Sequence, residues 1–194
     1  PYTFEKALLI VGEMTDLLVL DLVDKGLVTD QLALTIGYDR ENLAHPIIRK
    51  AYSGPITTDA YGRSVPKSAH GSINLDRPTS STKLILDGVT ELFERIANKN
   101  LLIRRITVTA NRVVQEAEAG QTERFEQLNL FADYAVLQQE KEEEVAQLVQ
   151  EKKVQQAMLQ IKEKHGKNAI LKGMNLEEGA TTVERNQQIG GHKA

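Results

Sequence analysis

Near the start of the chain the apolar residues recur in steps of three and four: Phe4, Leu8, Val11, Met14, Leu18 and Leu22. That spacing predicts an amphipathic helix, with Thr3 as its cap, Glu5 in its first turn and Gly26 just past its end. Over residues 31–38 the pattern changes to alternation. Leu32, Leu34, Ile36 and Tyr38 fall on one side and Ala33, Thr35 and Gly37 on the other, as in a half-buried strand. Residues 39–68 contain Gly54-Pro55 and Tyr61-Gly62 and keep no period. They predict a loop longer than a compact domain keeps without a job for it, part of which can pair as a hairpin arm. A second strand fits residues 69–75, where Ile73 and Leu75 alternate with His70, Ser72 and Asn74, and Pro78 is expected to stop it. Thr79 or Ser80 then caps a second helix with the stripe Ile85, Val89, Leu92 and Ile96. The last strand, about residues 101–110, sets Ile106 and Val108 against Arg105, Thr107 and Thr109.

Helix, two strands, helix, strand predicts an α+β fold: an antiparallel sheet with two helices on one face and the other face open. The open face carries Ala33, Thr35, Gly37, His70, Ser72, Asn74, Arg105 and Thr107, which are small, polar or basic. Such a surface is either ordinary solvated sheet or a place where a phosphate backbone comes close to hydroxyl, amide and guanidinium donors. It has no aromatic residues, so it is not an RNA-binding sheet of the base-stacking kind.

Past Val114 the residues turn to Glu, Gln and Lys, which divides the chain into a domain over 1–115 and a polar tail over 116–194. Residues 134–164 are strong helix formers, but Leu137, Val145, Leu148 and Val149 lie roughly opposite Val154, Met158 and Ile161 at 100° per residue. No single seam results. The expectation is a solvated helix or intermittently helical tether rather than a coiled coil. Residues 166–194, rich in Gly, Asn, Glu and Lys, are expected to be poorly ordered.

Charge sharpens that division. The net charge of −3 is the sum of 14 basic against 13 acidic residues in 1–115 and 10 against 14 in 116–194. With a sequence pI near 5.9, any DNA contact has to be local and modest. No apolar run is long enough to span a bilayer, so no membrane is expected. The absence of Cys excludes thiol redox chemistry and fits a reducing, cytoplasmic location. Pro1 lacks both an initiator Met and a signal pattern, and is read as a cut within something longer. His45, His70, His165 and His192 show no metal-ligand spacing, and Gly190-Gly191 lacks the strand and helix of a phosphate loop. No catalytic residue, metal ligand or cofactor site is assigned within these residues.

Gln127-Leu128-Asn129-Leu130-Phe131 stands apart. It places three apolar side chains in a polar stretch with no core nearby, and resembles the docking peptide with which bacterial replication and repair proteins bind the sliding clamp. Gln127, Leu128, Leu130 and Phe131 are the clamp-binding candidates; the alternative is a staple folded back on the domain.

The order of several further motifs carries a wider resemblance. These are Tyr2-Thr3-Phe4-Glu5-Lys6-Ala7, Glu13-Met14-Thr15-Asp16-Leu17-Leu18, Thr35-Ile36-Gly37-Tyr38, Arg104-Arg105-Ile106, residues 165–170, and the ending from Arg185-Asn186 to His192-Lys193. Together they resemble the C-terminal part, little finger plus tail, of Y-family translesion DNA polymerases, in particular the UmuC- and DinB-like repair proteins of Gram-positive bacteria. The resemblance implies a domain that lies in the major groove of primer–template DNA during error-prone lesion bypass in the SOS response. It also implies partner palm, finger and thumb domains, with the catalytic carboxylates and magnesium in the palm, so these residues alone are not expected to polymerise. By the same analogy Arg104, Arg105, Thr107, Arg63, Lys67 and His70 contact DNA phosphates. The family's order begins with a strand for which Pro1 leaves no room, so the first strand is expected to be missing. Two readings stay open beside this one: a protein-interaction adaptor without DNA binding, and a small enzyme with a cryptic site in the long loop.

Overall fold

The computed structural model of the protein describes residues 1–119, 134–189 and 192–193. The first 115 residues run α1 (Phe4–Asp24), β1 (Leu27–Tyr38), α2 (Glu41–Ala44), α3 (Pro46–Ala51), β2 (Ile56–Thr58), β3 (Ser64–Pro66), β4 (Ala69–Thr79), α4 (Thr82–Ile96), β5 (Ile103–Asn111) and β6 (Val114–Gln115). There follow α5 (Glu116–Ala119), α6 (Tyr134–His165), a 3-10 turn over Gly173–Leu176, and α7 (Thr182–Asn186). The last pairing is a minimal ladder of β7 (Gln188–Ile189) with β8 (His192–Lys193). The fold is α+β. β1 lies between β4 and β5, antiparallel to both, and α1 and α4 pack on one face of this sheet.

The period-2 reading of β1 sets its burial: Leu32, Leu34 and Ile36 are essentially sealed against Ile85, Val89, Leu92 and Phe93 of α4. Phe4 of α1 closes the same core against Phe93, ring centroids 4.9 Å apart. Thr3 caps α1 by accepting the Lys6 N–H, and Gly26 turns its end at φ 64°. On the edge of β5 a single antiparallel bridge joins Tyr2 to Ile103.

Several boundaries differ from expectation for local reasons. β1 begins four residues earlier than its alternation suggests, because Leu27 and Val28 pair with β6 after a break in register between Thr29 and Gln31. Pro78 does not end β4: pairing resumes at Thr79 opposite Thr29, past an irregular stretch on an edge strand where a missing N–H costs nothing. The cap of α4 is Ser81, whose Oγ accepts the Leu84 N–H at 3.3 Å, rather than Thr79 or Ser80. The long loop folds into α2, α3 and the β2–β3 hairpin.

The larger difference lies after residue 134. α6 is one continuous helix, and it is docked. Glu151 accepts the Ser81 hydroxyl at 2.7 Å and the Lys83 N–H at 3.1 Å, so one carboxylate of α6 caps the start of α4. Gln155, buried, donates to Ser80 O at 2.9 Å and Thr82 Oγ1 at 3.0 Å, and Met158 is buried nearby. Val145, Val149 and Val154 stay half exposed, so the absence of one apolar seam is real. Polar groups dock the helix instead.

The stretch expected to be poorly ordered is bound to α1 across residues 172–182. Glu13, fully buried, accepts the Thr181 N–H at 2.8 Å and Oγ1–H at 3.0 Å through one oxygen. Its other oxygen accepts the Thr182 N–H and the Asn175 amide, both at 3.1 Å. Lys172 pairs with Asp16 one turn further on. Burial pushes the Glu13 carboxyl up, but the hydrogen bonds from Thr181, Asn175 and Thr182 outweigh it and hold it below the usual glutamate value. Among the described residues no helix is long and apolar enough to cross a membrane.

Candidate nucleic-acid interface

The face of the sheet turned away from the helices is a grid whose rows are set by strand register. One row is His70–Thr35–Thr107, the next Ser72–Ala33–Thr109, the next Asn74–Gln31–Asn111, with Gly37 opposite Arg105 at the near end. Hydrogen bonds across the strands fix two of these rows. Thr35 Oγ1 lies 2.8 Å from His70 Nδ1, Gln31 donates to Asn74 at 2.9 Å, and Asn111 donates to Gln31 at 3.2 Å. The side chains are short or tied to one another, so a large ligand meets a nearly flat, pre-ordered polar surface.

At the Gly37 end, β5 fits Arg104 between Ile103, the partner of Tyr38, and Arg105, the partner of Gly37. This bulge separates the two arginines. Arg105 stays on the open face and is exposed, while Arg104 turns to Asp39, whose Oδ2 lies 3.2 Å from its guanidinium. Burial pushes the Asp39 carboxyl up, yet the Glu41 N–H and the Arg104 guanidinium bring it below its ordinary value, so Asp39 is a fixed anion that anchors α2. A Cβ on Gly37 would approach the Arg105 Cβ to 3.3 Å, so a side chain there would crowd the one basic residue in this row.

The structure therefore brings Arg105, Thr107 and His70 together on one surface, with Lys67 exposed just before β4. Arg104 is mostly exposed but is spent in part on Asp39. Arg63 lies away from the sheet, at the turn of the β2–β3 hairpin, where its guanidinium is 2.7 Å from Asp59 Oδ2. Gln127, Leu128, Leu130 and Phe131 lie outside the described residues.

Sequence reasoning missed two features. Arg112, at φ 49°, turns the chain from β5 into β6 and reaches back to Asp30 and Asn74. The far end of the sheet also opens into a cleft of about 1540 Å³ bordered by Asp76, Asp87, Glu91, Glu144 and Glu151. Carboxylates outnumber Arg77, Arg112 and Lys152 in that cleft, so a polyanion is favoured toward Gly37 rather than there. No group of three or more carboxylates and imidazoles that could hold a metal ion occurs among the described residues.

A family model described as the impB/mucB/samB family C-terminal domain matches residues 2–129. The chain belongs to the impB/mucB/samB family. It corresponds to the C-terminal region of a UmuC/DinB-like Y-family polymerase. A search of the curated proteins found no match. The match takes in the sheet, both covering helices and the insertion from α2 to β3, and ends before α6 and the segment bound to Glu13. In this impB/mucB/samB C-terminal domain the open grid and its basic end belong to the family-matched portion, whereas the polar docking of α6 and α7 is added to it.

Proposed function

We propose that this domain holds primer–template DNA by its sugar–phosphate backbone on the open face of the sheet, in an error-prone polymerase that copies past lesions during SOS repair in the bacterial cytoplasm. Residues 127–131 attach the enzyme to the sliding clamp, and the palm, finger and thumb domains supply the catalytic site. The observation that carries the reading is the register-fixed grid of Thr35, Thr107, His70 and neighbouring amides with Arg105 and Lys67 at one end. Hydroxyls and amides satisfy phosphate oxygens by hydrogen bonding, and one or two cations supply a modest electrostatic term. Apart from Arg105 at one end, the open-face side chains are short or tied to one another, so contact is to backbone rather than base edges. Binding is therefore insensitive to sequence, as copying any template requires.

The test is the affinity of the 194-residue chain for primer–template DNA as salt is varied, beside Arg105→Ala. The variant is expected to bind about three- to tenfold more weakly on every sequence and to lower the salt slope by about one. Unchanged affinity and slope would remove Arg105 from the interface.

A further inference from the structure

Of the aromatic residues whose side chains are described, Tyr61 alone is exposed, at 81%. It sits at the turn of the β2–β3 hairpin, and that turn is tightly built. Asp59 Oδ1 accepts the Tyr61 and Arg63 N–H groups at 2.9 and 3.0 Å, Asp59 Oδ2 accepts Arg63 Nε–H at 2.8 Å, and the Asp59 N–H donates to Arg63 O at 2.9 Å. The Arg63 guanidinium lies 4.8 Å from the centre of the Tyr61 ring. Gly62, at φ 76°, supplies the left-handed residue that the turn requires. A large apolar ring in water is costly, and here the backbone and a salt bridge hold it in place.

We propose that Tyr61 is a stacking platform for an unpaired nucleobase, so that the hairpin holds the single-stranded stretch of template next to the duplex lying on the sheet. The inference rests on the DNA-binding reading above and adds a second site with a different ligand, a single strand. The arm is placed for it. Its root joins β4 through Lys67, with the Lys67 N–H donating to Pro55 O at 2.9 Å, and Ser68 Oγ lies 3.8 Å from the Cβ position of Gly37, beside Arg105. From Lys67 to the turn the chain spans at most roughly 17 Å, the length of a few nucleotides. The segment from α2 to β4 also carries a small excess of positive charge. Residues 39–70 carry five Lys and Arg against three Asp and Glu in a chain of net −3, and Arg49, Lys50 and Lys67 are exposed.

The charge of Asp59 does not oppose this. Hydrogen bonds from the Arg63 side chain and N–H hold its carboxyl down to about 2, so near neutral pH it is permanently ionised and matched by Arg63. What remains to be recognised is the ring with its guanidinium neighbour. A flat π-face of this kind binds bases that are not already stacked in a duplex, whatever their identity.

The experiment compares binding of the 194-residue chain to a blunt duplex and to the same duplex with a single-stranded template overhang. Tyr61→Ala is expected to weaken binding to the overhang substrate about tenfold and to leave the blunt duplex unchanged, while Tyr61→Phe binds both like the wild type. Arg105→Ala weakens both substrates alike. Equal affinity of Tyr61→Ala and wild type for the overhang, equal loss on both substrates, or loss in Tyr61→Phe would overturn the stacking role while leaving the sheet contact standing. If the wild type binds neither substrate at low salt, the DNA-binding reading falls with it.

Discussion

Replacing Glu13 by alanine is expected to cost about 3 kcal/mol and to release residues 172–189 from α1. The carboxylate is fully buried and takes hydrogen bonds from the Thr181 N–H and hydroxyl, the Thr182 N–H and the Asn175 amide. Truncation leaves two backbone donors at the start of α7 without an acceptor and opens a cavity in the side of α1. Water can reach those donors only if the segment lifts away. The expected readings are cleavage by a protease after residue 166 under conditions that spare the wild type, and a melting temperature lower by roughly 6–12 °C for a chain of this size. Glu13→Gln is expected to fall between the two, since it keeps one acceptor and turns an NH2 toward groups that donate. Acid works in the same direction. Because the folded carboxyl lies below its ordinary value of 4.5, its contribution is complete above that value and is lost as pH falls through the lower folded one. In Glu13→Ala that part of the acid sensitivity disappears. Indistinguishable proteolysis and melting of Glu13→Ala and wild type would mean that the segment is held by other contacts, such as Lys172 with Asp16.

Changing both Leu130 and Phe131 to alanine is expected to weaken binding to purified bacterial sliding clamp at least a hundredfold from a roughly micromolar wild-type value. Each side chain contributes on the order of 1.5–3 kcal/mol when buried in a groove, so together they account for most of the affinity of so short a peptide. The residues on either side of it are fixed to the domain. Upstream, Val114 and Gln115 pair with Val28 and Leu27, and the Glu116 N–H donates to Gly26 O at 2.9 Å. Downstream, Lys152 of α6 returns to Glu116 at 2.8 Å. A clamp bound at residues 127–131 would thereby be kept close to the open face of the sheet, which would raise the effective concentration of a ligand there. Calorimetric titration of wild type and double variant decides it. No binding by the wild type, or equal binding by both, contradicts the clamp role, and a fall in melting temperature of the variant without clamp binding would identify the peptide as a staple on the domain.

Where the sequence was informative, it was so because one physical requirement dominated. Leu32, Leu34 and Ile36 alternate because one face of β1 is buried, and that alternation places Thr35, Thr107 and His70 on the other face by subtraction. The register that makes them neighbours is not written in any local pattern; it follows from the pairing of three strands far apart in the chain. In α1 the core stripe is Phe4, Ala7, Val11, Val19, Leu22 and Val23, with Leu8 half buried against it, whereas Met14 and Leu18 are half buried outside it. Periodicity misassigned them because α1 is covered on a second side, by the segment that Glu13 holds. That second cover is polar. Glu13, Glu151 and Gln155 look like solvated helix positions in sequence, and their burial is intelligible only once Thr181, Ser81 and Ser80 are seen to satisfy them. The hairpin tip was legible as a turn from Tyr61-Gly62, but its exposed ring and the Asp59–Arg63 pair were not. The bulge that splits Arg104 from Arg105 likewise depends on the partner strand and leaves no mark in the sequence of β5.

The proposed grip on the sheet is tested most directly by where DNA lies. A photo-crosslinking residue at Thr107, exposed on the open face, is compared with one at Leu176, 73% exposed in the turn that packs on α1 behind the helices. Illumination with primer–template DNA is expected to link the chain through position 107 and not through position 176, and to do so less as salt rises. Crosslinks at 176 in place of 107, or at neither position at low salt, would contradict a DNA grip on the sheet.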